Sequence, residues 1–261
     1  MHSRTGVALK PTKKPLVVSR LRKRLEELKL NGFTAYIPLL EQSNSSELEV
    51  FINAITTNET YFFRHIKQFN FLYEKILPDF LYANQTTSNR EFRIWSAACS
   101  SGEEPYSLAI SCQEFFKARG GWRFKVYASD INSEVIAEAK IAQYPERSFK
   151  EMPPELKTRY FHPLPPQGKQ LAVLYQLDQT IKSKVEFFQH NLLKPPEGKM
   201  MDVIFLRNVM IYFDKPVKEK VVNLIEKNLK PGGYFFISLS ETLSDINSNL
   251  KNLHSSIYQK I

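Results

Sequence analysis

The stretch Ile94-Trp-Ser-Ala-Ala-Cys-Ser-Ser-Gly-Glu-Glu-Pro-Tyr-Ser-Leu-Ala109, followed by Val126-Tyr-Ala-Ser-Asp130, decides the fold. An apolar run that gives way to small residues reads as a buried strand and its loop. Gly102, Glu103 and Glu104 read as the turn into a helix, and the second apolar run closes on a carboxylate. Small residues let a ligand approach the backbone, and a helix N-terminus offers free N–H groups. An acid ending the next strand, roughly 20–30 residues on, is placed to accept hydrogen bonds from both hydroxyls of a ribose. The pattern describes a nucleoside-binding crevice.

Working outward, strands are expected at 92–97, 124–129, 185–188, 202–206 and 233–239, with helices at 104–118, 133–141 and 215–229. Strands separated by helices imply a parallel sheet covered on both faces, an α/β fold of Rossmann-like plan. Residues 145–184 break the rhythm. They carry Pro145, Pro153, Pro154, Pro163, Pro165 and Pro166, then the alternating run Leu171–Asp178. This predicts a turn-rich insertion with a short antiparallel piece on the edge of the sheet. Ser256–Lys260 reads as a final strand paired with an earlier one. Ahead of the sheet, residues 1–15 read as a poorly ordered tail. Helices follow at Leu16–Leu28, at Phe33–Leu40 with Thr34 as cap, and at Ser46–Ile55 with a start signal from Ser45. Residues 1–57 thus form a small helical domain and 58–261 a second one. Thr56–Arg64 is a loop leading into a helix to about Leu81, with Phe62, Phe69, Leu72 and Ile76 on its apolar side.

Composition narrows the function classes. The chain has 261 residues, 43% of them hydrophobic, enough for a sizeable core. No apolar run approaches the ~20 residues needed to span a bilayer, and the first 15 residues lack the apolar region of a secretory signal. Cys99 and Cys112 have no metal-like spacing and the five histidines are scattered, so a cytoplasmic protein without a metal is expected. Residues 1–30 hold nine basic side chains against Glu26 and Glu27, and so carry +7 of the chain's formal +9. Such a concentration steers acidic partners, or else is a solvated face kept basic for solubility.

In an open parallel sheet, ligands bind beyond the carboxyl ends of the strands at the switch in strand order. Four features fall there: the loop Ala98–Glu104, Asp130, the pair Asn191–Leu192, and Arg207–Asn208 with Tyr212 one turn beyond. Taken singly, Arg207 reads equally as a surface charge and Asn208 as a helix cap; taken together, the four mark a site. A dinucleotide site would show G-x-G-x-x-G to cradle a pyrophosphate. Only Gly102 is present, and the two glutamates behind it would repel phosphate. S-adenosylmethionine fits instead, with an adenine, a ribose diol, a sulfonium and an amino group but no phosphate.

The sequence resembles the CheR-type chemotaxis receptor methyltransferases. The resemblance rests on Ile55-Thr-Thr-Asn-Glu-Thr-Tyr-Phe-Phe-Arg64, Trp95-Ser-Ala-Ala-Cys-Ser-Ser-Gly-Glu-Glu-Pro-Tyr-Ser107, Ala128-Ser-Asp-Ile131, Val185–Leu192, Asp202-Val-Ile-Phe-Leu-Arg-Asn-Val-Met-Ile-Tyr-Phe213 and Leu229-Lys-Pro-Gly-Gly233. It spans about residues 16–260. Leu206 stands where the family commonly has Cys, and Ser238-Leu-Ser-Glu241 where Gly-His-Ser-Glu is typical. The resemblance implies methyl transfer from S-adenosylmethionine to glutamate side chains on chemoreceptor signalling helices, leaving S-adenosylhomocysteine. It implies cofactor contacts at Asn58, Thr60, Arg64, Ala98, Glu104, Asp130, Asn191, Leu192, Arg207 and Asn208. Asp130 would take the ribose and Glu104, with Glu103 able to share that work, the polar end. Arg64 and Tyr212 would handle the acceptor carboxylate. The acidic methylation helices of chemoreceptor cytoplasmic domains would dock on Arg20, Arg22, Lys23 and Arg24, and the insertion falls where the family places a β-subdomain. No membrane insertion is implied.

Two other readings compete. A non-catalytic S-adenosylmethionine sensor would be free to lose Arg64 and Tyr212, and both are present. A nucleic-acid methyltransferase would carry an N-P-P-Y-like motif or a catalytic cysteine and stacking aromatics. Arg207-Asn-Val-Met-Ile-Tyr212 resembles neither, so nucleic acid is not expected as a partner.

Overall fold

In the computed structural model, residues 2–8, 11–41, 46–87, 90–165, 173–195 and 198–261 are described. The chain opens with α1 (His2–Thr5), α2 (Lys14–Glu27), α3 (Phe33–Glu41) and α4 (Ser46–Ile55). Leu21, Tyr36, Phe51 and Ile55 bury one small core between the last three. Thr34 lies inside α3 rather than at its cap, because Gly32 at φ +136° makes the turn and the helix starts at Phe33. Ser45 falls outside the described residues. The cluster is fastened by a polar triad: Arg24 donates to both Glu47 oxygens at 2.8 and 2.5 Å, and the Tyr36 hydroxyl donates to Glu47 at 2.6 Å.

A long helix follows in three parts: α5 (Ile66–Phe71), a π-helical turn at Leu72–Ile76, and α6 (Leu77–Ala83). Pro78 lacks an N–H for the regular ladder, and the widened turn just before it accommodates its ring. Phe69, Leu72 and Ile76 are buried as the periodicity predicts; Phe62 is buried too, but it lies in the loop before the helix, which starts at Ile66, and packs on the insertion.

The sheet and its helices run β1 (Glu91–Ala97), α7 (Glu103–Phe116), β2 (Arg123–Asp130), α8 (Ser133–Ile141), then, after the insertion, β6 (Val185–Gln189), β7 (Met201–Leu206), α11 (Lys215–Asn228), β8 (Leu229–Phe236), β9 (Leu250–His254) and β10 (Ile257–Lys260). The order is β6-β2-β1-β7-β8-β10-β9. The first five strands are mutually parallel and β10 is antiparallel to both neighbours. Side-chain alternation splits the core in two. Phe92, Ile94, Val126, Ala128, Val203 and Phe205 face one layer with α7 and the long helix. Trp95, Ala97, Tyr127, Ile204, Leu206 and Phe235 face the other with α11. β8 begins at Leu229, earlier than the expected 233, because Leu229 pairs with Met201 and the Pro-Gly-Gly segment bulges before Tyr234 pairs with Val203.

The insertion is a separate unit and not an extension of the main sheet, which corrects the expectation. β3 (Gln143–Pro145), α9 (Pro154–Tyr160), β4 (Phe161–Pro163), β5 (Leu174–Leu177) and α10 (Gln179–Lys182) include a three-stranded antiparallel sheet of order β3-β5-β4. Its strands pair only with one another among the described residues, while Tyr144, Phe149 and Phe161 pack around Phe62 and join the buried layer beneath α7. Residues 171 and 172 of the expected alternating run lie outside the described residues.

The expected disordered tail is also overturned. Residues 2–8 are strapped across the sheet's carboxyl edge. His2 Nε2 meets Asp214 at 2.8 Å, Asn191 Nδ2 donates to the Arg4 carbonyl at 2.7 Å, Val7 bridges Phe213, and the Ala8 N–H donates to the Tyr212 carbonyl at 2.9 Å.

The Arg24 bond holds the Glu47 carboxyl below its ordinary pKa, with the Tyr36 bond adding to it against burial. A depressed carboxylate contributes stability that is complete above its ordinary range and fades as pH falls through the depressed value. Glu47→Gln should therefore cost about 2 kcal/mol at pH 7 in denaturant titrations. Its deficit should shrink as both proteins are titrated below about pH 4; a deficit constant from pH 7 to 3 would contradict the ion-pair account.

Candidate active site

Sequential strands run outward β1-β2-β6 and then return to β7 on the other side of β1, so the switch in order lies between β1 and β7. Above it opens a cavity of about 410 Å³. Its floor is the loop joining β1 to α7, whose backbone is left-handed at Ala98 (φ +61°), Ser100 (φ +50°) and Gly102 (φ +98°). Gly102 cannot be replaced without strain: an added Cβ would lie 2.9 Å from Ala139 Cβ and 3.0 Å from the Tyr144 hydroxyl. The turn brings the Ser100 N–H to Asp130 Oδ2 at 2.9 Å, and the Asn132 N–H donates to Oδ1 at 3.0 Å. Asp130 is almost buried; burial pushes its pKa up, and the backbone donors oppose that.

Opposite Asp130, Glu104 accepts from Ser96 Oγ at 2.8 Å and from Arg207 Nη1 at 3.0 Å. The Arg207 side chain is 2% exposed. Its other terminal nitrogen donates to the Arg64 carbonyl at 2.6 Å, so one guanidinium joins the end of β7, the start of α7 and the Asn58–Arg64 loop. Burial pulls the Arg207 pKa down and Glu104 opposes that. Arg64 donates from Nη1 to the Glu59 carbonyl at 2.9 Å. The Nε atoms of Arg64 and Arg207 are buried donors with no hydrogen-bond partner among the described residues. Such donors are rare unless a ligand group completes them.

Of the residues singled out in the sequence, Asn58, Thr60, Arg64, Ala98, Glu104, Asp130, Asn191, Leu192, Arg207, Asn208 and Tyr212 all line this one cavity. Glu103 does not. It is buried on the far side of the α7 N-terminus, bonded to Ser101 Oγ at 2.7 Å and Ser148 Oγ at 3.4 Å, facing the insertion. At 100° per residue, adjacent helical positions cannot share a face, so Glu104 alone points to the cavity. Sequence reasoning placed Ser100 only within the Ala98–Glu104 loop, without its hydroxyl's bond to the Asn58 carbonyl at 2.9 Å, and it missed the strap residues Thr5, Val7 and Ala8, which wall the cavity. It also missed Glu241. This carboxylate accepts from the Ser238 N–H at 2.8 Å and the Asn208 N–H at 3.3 Å, and holds Asn208 at φ +60°. Its only signal was that it keeps the family's Glu at the end of the departing stretch Ser238–Glu241, where no periodicity points inward.

The basic helix is divided in its work. Arg20 donates to the Thr56 carbonyl at 2.6 Å and to Thr57, and Arg24 is bonded to Glu47. Both tie α2 to its own neighbours, which leaves Arg22 and Lys23 as the outward charges of the expected four.

Fold and crevice together define a Rossmann-like nucleoside-binding enzyme whose site has no phosphate cradle. The CheR methyltransferase SAM-binding domain matches residues 58–259, and the CheR methyltransferase all-alpha domain matches residues 1–56. A chemotaxis protein methyltransferase of Borreliella burgdorferi is 38% identical over 264 residues, covering 100% of this chain and 91% of its own. That of Salmonella typhimurium is 38% identical over 251 residues, covering 94% and 82%. The chain belongs to the CheR methyltransferase family, and its cofactor is S-adenosylmethionine. The site fits that molecule: a carboxylate for a diol, a second carboxylate for a cationic end, and two orphan guanidinium N–H groups for a carboxylate. No cluster of three or more metal-ligating side chains occurs among the described residues, and none of the described helices is long and apolar enough to cross a membrane.

The strap makes a quantitative claim. Gly6 sits at φ +77°, and an added Cβ would lie 2.8 Å from Val217 Cγ1. Gly6→Val should lift the strap and weaken S-adenosylmethionine binding about tenfold by calorimetry, the worth of one or two lost contacts. An unchanged affinity would mean that the strap contributes nothing to the site.

Proposed function

We propose that this protein transfers the methyl group of S-adenosylmethionine to glutamate side chains on the cytoplasmic helices of chemoreceptors, giving glutamate methyl esters. The observation that carries the reading is the convergence of Arg64 and Tyr212 on the same cavity as Asp130 and Glu104, in a chain of the CheR family. Asp130 would hold the ribose, Glu104 the cationic end and the buried Arg nitrogens the carboxylate of the cofactor, with Asn58, Thr60, Ala98, Asn191, Leu192 and Asn208 completing the wall. When bound, the cofactor supplies an activated methyl on a sulfonium.

The rest falls to the chain. An acceptor glutamate, with pKa near ~4.3, is ionised at neutral pH and needs no strong base. The protein's task is to strip water from that carboxylate and aim it. Arg64 offers a fork of donors for this, and its grip is limited because Nη1 is already committed to the Glu59 carbonyl. A looser hold avoids stabilising the ground state along with the transition state. Tyr212, whose backbone is fixed by the strap, offers a hydroxyl on the other wall.

Residues 1–57 serve as the docking domain in this reading, with Arg22 and Lys23 facing the acidic receptor helices. The reaction runs in the cytoplasm. A receptor cytoplasmic fragment incubated with labelled cofactor should acquire base-labile label, as a carboxyl ester does and an N-methyl group does not. Arg64→Ala should lower kcat about 100-fold or more, and Tyr212→Phe about tenfold. Cofactor binding without any transfer to receptor would favour a sensor instead.

A further inference from the structure

The loop that carries Arg64 is clamped from two sides. Phe63 points into the main core: its N–H donates to Ser107 Oγ at 2.9 Å, and its ring meets Phe69 at 5.1 Å. Tyr61 and Phe62 point the other way, into the insertion. The Phe62 ring stacks on Phe149 at 5.2 Å and meets Tyr144 and Phe161 edge-on, while its N–H donates to the Ser148 carbonyl at 2.9 Å. Between these anchors the chain must reverse sharply. Phe63 (φ +57°) and His65 (φ +64°) are both left-handed without being glycine, a conformation that persists only when its surroundings over-determine it.

One side chain of the insertion closes this turn. Glu151 accepts the Tyr61 hydroxyl on Oε1 at 2.9 Å and the His65 N–H on Oε2 at 3.1 Å. The adjacent Lys150 ammonium lies 3.7 Å from the Tyr61 ring centroid, within range of cation–π attraction. The two carboxylate oxygens thus span residues 61 to 65 and hold both ends of the turn that carries Arg64, one of them at the residue directly after it. From this geometry we infer that Glu151 is a positioning residue for methyl transfer: the insertion, through this carboxylate, sets where the Arg64 side chain presents itself to the acceptor. The inference rests on the proposed role of Arg64.

Glu151 is exposed, and exposed carboxylate contacts contribute little to global stability. Its effect should therefore appear in catalysis and local dynamics. A misplacement of about 1 Å in an orienting group costs up to 100-fold in rate. Glu151→Ala should lower kcat toward the receptor fragment about five- to thirtyfold. It should leave thermal stability within about 3 °C, and should speed amide hydrogen exchange in 61–66 at least about tenfold. Glu151→Gln, which keeps an oxygen for the His65 N–H, should return kcat to within about threefold of wild type. Tyr61→Phe removes one arm only and should fall between, and it serves should the alanine variant fail to fold.

Unchanged exchange in 61–66 would overturn the clamp. A loss of kcat that tracks falling stability, with no rescue by Gln, would overturn the positioning role. A wild-type protein that transfers no label refutes the proposed acceptor instead, and the exchange measurement then still decides whether Glu151 holds the loop.

Discussion

One buried guanidinium organises the site. Arg207 leaves the end of β7, pairs with Glu104 at the first turn of α7 and donates to the Arg64 carbonyl. A buried ion pair returns little net stability, since desolvation offsets most of the attraction. Its value here is geometric: three segments far apart in sequence are held in one arrangement around the strand-order switch. The price in desolvation is tolerable because Glu104 also accepts from Ser96 and the guanidinium finds a carbonyl. The nitrogen left over is a buried donor without a partner among the described residues, in a side chain that lines the cavity.

Around that pair, the backbone is bent to suit close approach. Left-handed residues mark the β1–α7 loop, the Arg64 loop and Asn208. Each is held by long-range partners, namely Asp130 on Ser100, Glu151 on His65 and Glu241 on Asn208. All three locks are carboxylates that accept backbone N–H groups, an arrangement that fixes a loop without requiring a buried cation.

How much of this was legible in the sequence depended on the range of the interaction. The five parallel strands and the helices between them came through because apolar periodicity is local, as in Phe92–Ala97 and Phe124–Ser129. The carboxyl-edge residues came through because topology puts strand ends together, and eleven named positions do share one cavity. Glu103 was misplaced because two adjacent glutamates look alike until the helix phase is known. The strap was read as a poorly ordered tail because residues 1–15 carry two prolines and several lysines, whereas its order comes from Asp214, Asn191 and Phe213, about two hundred residues away. Arg20 and Arg24 looked like docking charges for the same reason, since their partners at Thr56 and Glu47 lie on another helix or beyond it. That the insertion's strands form a sheet of their own was hidden too, because Phe62, on which its aromatics pack, belongs in sequence to the preceding segment.

The claim on which all else turns is that Asp130, at the end of β2, anchors the nucleoside. Calorimetric titration of wild type and Asp130→Asn with S-adenosylmethionine tests it most directly. One site on the wild type, weakened about tenfold or more in the folded variant, is the predicted result. Equal affinity in both proteins would place the cofactor elsewhere and contradict the account.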